Sequence, residues 1–195
     1  MASSFSLTNF KENIKALVRP NYFQARLYGY TKVAGGLDGT LQNIDNTFSF
    51  RCEKAEFPGR SLASVDDAVG GGPTLKLPYD VTYNDITLSI VCSEDMIERK
   101  FFENWMDRII GAAGGRFSGL ISYYEDYALG VSLSVQQLNA KGDPLFYCVL
   151  YDIYPIAISP MNAAWEETNT YQRFSVTIAY RYHKYNFAGN DFVVA

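Results

Sequence analysis

Apolar and polar residues alternate with a period of two over several short stretches of this chain, the mark of strands with one buried face. Phe48, Phe50 and Cys52 oppose Thr47, Ser49, Arg51 and Glu53, which predicts a strand over Thr47–Glu53. Ile86, Leu88, Ile90 and Cys92 oppose Asp85, Thr87 and Ser89, and Val131, Leu133 and Val135 oppose Ser132, Ser134 and Gln136. The longest alternation runs from Tyr171 to Tyr182, with Phe174, Val176, Ile178, Tyr180 and Tyr182 on one side. Tyr22–Tyr28 reads as a further strand. Leu145–Ile153 is apolar at both parities and is therefore expected inside a sheet, covered on both faces.

Two stretches keep helical spacing instead. Phe10, Ile14 and Leu17 or Val18 share one face of a short helix over Phe5–Val18, which Arg19-Pro20 would stop. Asp95–Ile110 is the stronger helix, with Ile97, Phe101, Trp105 and Ile109 in an i, i+4 ladder. Ser93 or Asp95 is its expected cap, Glu98 falls three residues after Asp95, Arg108 lies near the end and Gly111 is the expected terminator. Gly29–Asn46 holds Gly35-Gly36 and Asp38-Gly39 and reads as a long loop or inserted hairpin over 29–46. Phe57-Pro58-Gly59 breaks one strand. A second long connection, Arg60 to about Pro73, contains Gly70-Gly71-Gly72-Pro73, and long loops inside compact domains are often functional. The segment 184–195 reads as a C-terminal tail. About seven strands and one packed helix make a mainly β sandwich or barrel, with the helix over an opening or edge.

A length of 195 residues fits one domain over 1–195, with an N-terminal segment 1–20. The net charge is −4 and no block of basic residues occurs, which disfavours a duplex nucleic-acid binder. No stretch approaches the ~18 apolar residues of a membrane span, and Met1–Phe10 lacks the pattern of a secretory signal. Cys52, Cys92 and Cys148 are too few and too widely spaced for a disulfide framework or metal knuckle, and read as small apolar strand residues. His183 is the single histidine, placed just past the last strand, and no G-x-S-x-G motif accompanies it, so a surface or interface role outweighs a catalytic one. The glycine runs lack the Lys-Ser/Thr of a phosphate loop. The pairs Asp66-Asp67, Glu94-Asp95, Glu125-Asp126 and Glu166-Glu167 have no metal-ligand spacing. No catalytic residue, cofactor or metal is therefore expected. Fifteen tyrosines fit strand rims and subunit contacts better than a stacking platform, which needs a basic groove. Several strands oppose an apolar face with Ser, Thr and small residues. Such a face serves either as the solvent side of a sandwich or as the wall of a water-filled channel built by sheets joined between subunits. Spacing does not choose between them.

The order of motifs resembles the major tail tube protein of contractile-tailed bacteriophages. Arg19-Pro20-Asn21-x-Phe23-Gln24 is similar to that family's entry into its first strand, and Phe48-x-Phe50-x-Cys52-x-x-Ala55-x-x-Pro58 to its second strand and proline-bearing exit. Ile86–Ile90 followed by Phe101–Trp105 resembles its strand-to-helix segment, and Leu150–Pro155, Trp165 and Gln172–Ile178 its closing strands. The resemblance spans about residues 17–182, and 29–46 and the tail look like additions. It implies two packed antiparallel sheets with one α-helix at about 95–110, and a structural, non-enzymatic role. Six subunits would form a ring, rings would stack into a hollow tube, and inner sheets would join into one barrel. The implied partners are further copies of the chain, a tail sheath protein, and baseplate and tail terminator proteins, in a virion tail assembled in the host cytoplasm. DNA would pass through the lumen without specific binding, and an acidic lumen would repel it and let it slide. Premature polymerisation would deplete the subunit pool, so a template is expected. The long loop from Phe57 to Pro78 is expected to reach across a ring boundary. Its candidate interface residues are Phe57, Pro58, Gly59, Arg60, Val69, Gly70, Gly71, Gly72, Pro73 and Leu75. Alternative readings are a baseplate tube-initiator or secretion-tube subunit, a monomeric ligand-binding β-barrel, and a jelly-roll enzyme or lectin, for which no ligand cluster is found.

Overall fold

The computed structural model describes residues 18–32, 48–49, 51–67, 74–111, 120–166 and 170–187. Its strands in chain order are β1 (Phe23–Tyr28), β2 (Cys52–Ala55), β3 (Arg60–Asp67), β4 (Leu75–Tyr83), β5 (Ile86–Val91), β6 (Ser132–Leu138), β7 (Pro144–Tyr151), β8 (Tyr154–Ile158), β9 (Arg173–Ala179) and β10 (Tyr182–Phe187). Helix α1 spans Ile97–Ile109 and the single turn α2 spans Tyr124–Tyr127. The first sheet has the order β1-β6-β7-β10, the second β2-β5-β9-β8, and β3 pairs only with β4. All pairings are antiparallel.

The period-two pattern decides which faces meet. Ala25 and Leu27 of β1, Leu133 and Val135 of β6 and Leu150 of β7 point inward from the first sheet. Ile86, Leu88 and Ile90 of β5 and Phe174, Val176 and Ile178 of β9 answer from the second. All are buried, and each large apolar side chain contributes about 1.5–3 kcal/mol by leaving water. Helix α1 adds Phe101, Phe102 and Trp105 to the same core, with Phe102 edge-on to Phe174 at 6.2 Å. The indole N–H of Trp105 donates to the Tyr127 carbonyl at 2.9 Å, so no polar atom of that ring is left without a partner. β7 lies between β6 and β10, the internal place its apolar character predicts, but only one of its faces meets the core: Tyr147, Val149 and Tyr151 point to an open hollow, so the expected cover on both faces is not found.

Four expectations need correction. The alternation at Thr47–Glu53 is not a strand throughout: the backbone is helical at Phe48, Ser49 and Arg51, and the strand begins at Cys52. Phe48 is drawn into the core against Phe102, with ring centroids 6.2 Å apart, and tertiary packing overrides the local pattern. The connection from Arg60 is not a loop but the hairpin β3–β4. The tail does not start at 184, because His183 and Lys184 lie inside β10 and Tyr171–Tyr182 is divided by a turn at Tyr180–Arg181. The stretch 29–46 opens with structured residues: Gly29 has φ +71° and a side chain there would collide with the Gly130 carbonyl, while Tyr30 is buried edge-on to Phe101. The remainder of 29–46, the Phe5–Val18 helix apart from Val18, and 188–195 fall outside the described residues.

The cap of α1 also differs from expectation. Met96 occupies the cap position with φ 53° and makes no side-chain cap bond, while Gly111 ends the helix at φ 62° as expected. Glu98 turns inward instead, fully buried. Its carboxylate accepts from the Ser93 backbone N–H at 3.0 Å and hydroxyl at 2.9 Å, and pairs with Arg51. This ties the end of β5, the start of α1 and the segment before β2 together. Burial alone would raise the carboxyl pKa, but the hydrogen bonds from Ser93 and Arg51 outweigh it and hold the group below the ordinary carboxylate range. A lowered native pKa gives stability that is fully present above the unfolded value and lost as pH falls through the native one. Glu98→Gln should therefore be less stable than the parent at pH 7 by chemical denaturation. The difference should shrink as pH drops below the ordinary carboxylate range, and a pH-independent difference would contradict this role.

Candidate assembly surfaces

The β3–β4 hairpin carries a clean alternation of its own: Leu75, Leu77, Tyr79, Val81 and Tyr83 in β4 are separated by Lys76, Pro78, Asp80 and Thr82. Register sets Leu62 against Val81 and Val65 against Leu77, with an irregularity between Ala63 and Ser64. One side of the ribbon is thus apolar. It is also uncovered: Leu62 is 62%, Val65 53%, Leu75 60% and Tyr79 72% exposed. A two-stranded ribbon is marginal in water without packing on a third element. Ordinary surfaces scatter such residues singly, whereas a contiguous group marks an interaction surface.

The ribbon is anchored at its base. Tyr83 packs on Tyr180 at 5.9 Å and edge-on to His183 at 5.2 Å. Phe57 meets Phe146 at 5.3 Å, and Phe146 meets Phe187 at 5.0 Å. The Arg60 guanidinium lies over the Tyr185 ring at 5.4 Å and donates to its hydroxyl at 3.1 Å. Pro58, Arg60, Phe146, Cys148, His183, Tyr185 and Phe187 enclose a recess of about 190 Å³. The His183 imidazole is held below its ordinary pKa, first by burial and then by the positive charge of Arg60. Its Nδ1 is buried with no hydrogen-bond partner among the described residues.

A second surface lies on the outer face of the first sheet. Register aligns Gln24, Arg26 and Tyr28 of β1, Ser132, Ser134 and Gln136 of β6, Tyr147, Val149 and Tyr151 of β7, and Tyr182, Lys184 and Asn186 of β10 on one side. The face is concave, with a hollow of about 620 Å³ over β6 and β7. Ser134 and Val149 lie at its floor, 3% and 5% exposed. Tyr151 stacks on Tyr182 at 4.9 Å, and Asn186 donates to the Tyr147 hydroxyl at 3.1 Å. Edge strands β1 and β10 bound this sheet.

Of the interface residues predicted from sequence, Phe57, Pro58 and Arg60 gather at the ribbon base, with Gly59 beside them, whereas Leu75 sits at the far end opposite Asp67. Val69, Gly70, Gly71, Gly72 and Pro73 lie outside the described residues. Leu62, Val65, Leu77, Tyr79 and Val81 were missed, although the β4 alternation is visible in the sequence. Among the described residues no group of three His, Cys, Asp or Glu gathers to hold a metal, and no helix is long and apolar enough to cross a membrane. The three thiols are free, and burial pushes those of Cys52 and Cys148 up to about 12, where a thiolate nucleophile is out of reach.

The family model described as phage tail tube protein matches residues 18–186. In fold, the chain is similar to one in the sheath-tube complex of the PVC extracellular contractile injection system in its extended state. The TM-score is 0.61 at 11% identity, covering 95% of this chain and 100% of that one. A chain of the six-fold symmetrised anti-feeding prophage baseplate gives 0.61 at 11% identity, over 90% of this chain and 99% of that one. A chain of the anti-feeding prophage tube-terminating cap gives 0.57 at 11% identity, over 96% and 95%. A comparison with curated proteins finds no match.

The single histidine makes the ribbon base directly observable. Its imidazole signals in NMR should titrate below the ordinary histidine value. Arg60→Gln should raise that pKa without restoring it fully, because burial remains. An unchanged titration would show that Arg60 does not sit over this site in solution.

Proposed function

We propose that this chain, which belongs to the phage tail tube protein family, forms the stacked hexameric rings of an inner tail tube within a contractile sheath. The family is one of structural proteins and not of enzymes. The observation that carries the reading is the uncovered apolar ribbon β3–β4, which leaves the body of the subunit and needs a second surface. A neighbouring copy is the occupant, reached across the ring boundary by the ribbon, with Phe57, Pro58, Gly59 and Arg60 fixing its base. Burying a few such side chains at about 1.5–3 kcal/mol each favours a polymer over a free subunit. Open edges β1 and β10 let the first sheets of adjacent copies join around the ring, and closure removes the hazard of an exposed edge. The concave polar face then lines the channel through which the genome leaves the virion. Sheath, baseplate and terminator proteins are the further partners.

The fold shared with a chain of the PVC sheath-tube complex supports a second reading, a subunit of an injection-system tube or of its initiating ring. Assembly separates the two ring types: an initiator stops at single rings.

Leu77→Lys combined with Val81→Lys changes only exposed positions of the ribbon. The variant should keep the parent's circular dichroism and a melting temperature within about 2 °C, yet give no tubes by electron microscopy. Deleting Val69–Pro73 should also leave a soluble subunit that does not polymerise. Normal tubes from either variant would refute the ribbon's role.

A further inference from the structure

We propose that the concave face of the first sheet holds the phosphate backbone of a nucleic acid by electrostatic attraction; this rests on the tube reading and names what its channel wall favours. The chain carries 21 acidic against 17 basic residues, yet none of the outward positions of β1, β6, β7 and β10 holds a carboxylate. Their only charges are Arg26 and Lys184. Register places both on one rung across the sheet, because Arg26 pairs with Ser134, Ser134 with Val149, and Val149 with Lys184. The two cations thus stand on the two edge strands at the same height, three strand spacings or about 14 Å apart. Both are exposed.

Joining β10 of one copy to β1 of the next brings Lys184 toward Arg26 at every joint. The result is a belt of paired cations around the channel in each ring. The Lys184 ammonium rests over the Tyr151 ring at 5.7 Å, which fixes its position without neutralising it. The remaining Ser, Gln, Asn and Tyr groups offer no charge to compete. Recognition by such a wall is independent of sequence and falls steeply with salt, since it works by releasing counterions from phosphates. The net charge of the chain therefore misleads about this wall: no carboxylate occupies its outward strand positions, and it attracts a polyanion weakly instead of repelling it.

The test uses tubes of the full chain, verified by electron microscopy, and a fluorescent duplex oligonucleotide measured by co-sedimentation across a salt series. Intact parent tubes should retain the duplex at low salt and release it as salt rises. Tubes of Arg26→Gln/Lys184→Gln should retain at least tenfold less, either single variant an intermediate amount, and Arg26→Lys/Lys184→Arg as much as the parent. Intact parent tubes that retain no duplex, or neutralised tubes that retain it undiminished, would overturn the proposal and leave the tube reading standing. Failure of the parent to form tubes even when an initiating ring is supplied would overturn both.

Discussion

A β-ribbon whose apolar side faces water is costly, and this chain has one of eight and nine residues in its two strands. Leu62, Val65, Leu77 and Val81 are paired across the ribbon but covered by nothing among the described residues of their own subunit. Backbone hydrogen bonds between two strands do not by themselves outweigh the entropy of ordering them. The missing term has to come from another surface. The aromatic base built from Phe57, Tyr83, Phe146 and His183 anchors one end of the ribbon and leaves its apolar side exposed.

The rest of the subunit is arranged around that demand. The two sheets share one continuous core, and α1 completes it with Phe101, Phe102 and Trp105. The self-sufficient part therefore lies between the sheets, while β1 and β10 are each paired on one side only among the described residues. Alternation of side chains makes this division sharp: moving one residue along β6 passes from buried Leu133 and Val135 to the outer hollow, where Ser132, Ser134 and Gln136 sit beside Tyr147, Val149 and Tyr151. Glu98 fixes the corner where β5 gives way to α1, holding Arg51 and Ser93 together.

Strands that face the core on one side and something polar on the other were legible from sequence, as Ile86–Val91 and Arg173–Ala179 illustrate. So was α1, whose apolar ladder matches the stripe it buries. Phe48 and Phe50 imitated a strand, because a period of two cannot reveal that Phe48 wedges onto Phe102 from a helical backbone. The break at Tyr180–Arg181 carries neither Gly nor Pro, so β10 looked like the end of its predecessor and then like a tail. β4 is the instructive case: its alternation was as clean as any, but the glycine run at 70–72 extended the loop reading as far as Pro78, over the first half of the strand. For the candidate site, Phe57, Pro58 and Arg60 could be named from the chain break they create. Phe146, Tyr185 and Phe187 complete that base; Phe57 meets Phe146 across 89 positions and Arg60 meets Tyr185 across 125, and no local pattern encodes those.

Hydrogen exchange at the ribbon amides, compared between free subunits and assembled tubes, tests the central claim most directly. The account expects the amides of β3 and β4 to exchange rapidly in the free subunit while those of β5 and β9 are protected, and expects the ribbon to become protected on assembly. Equal protection of the ribbon in both states would mean that the subunit covers it unaided, and the account would be wrong.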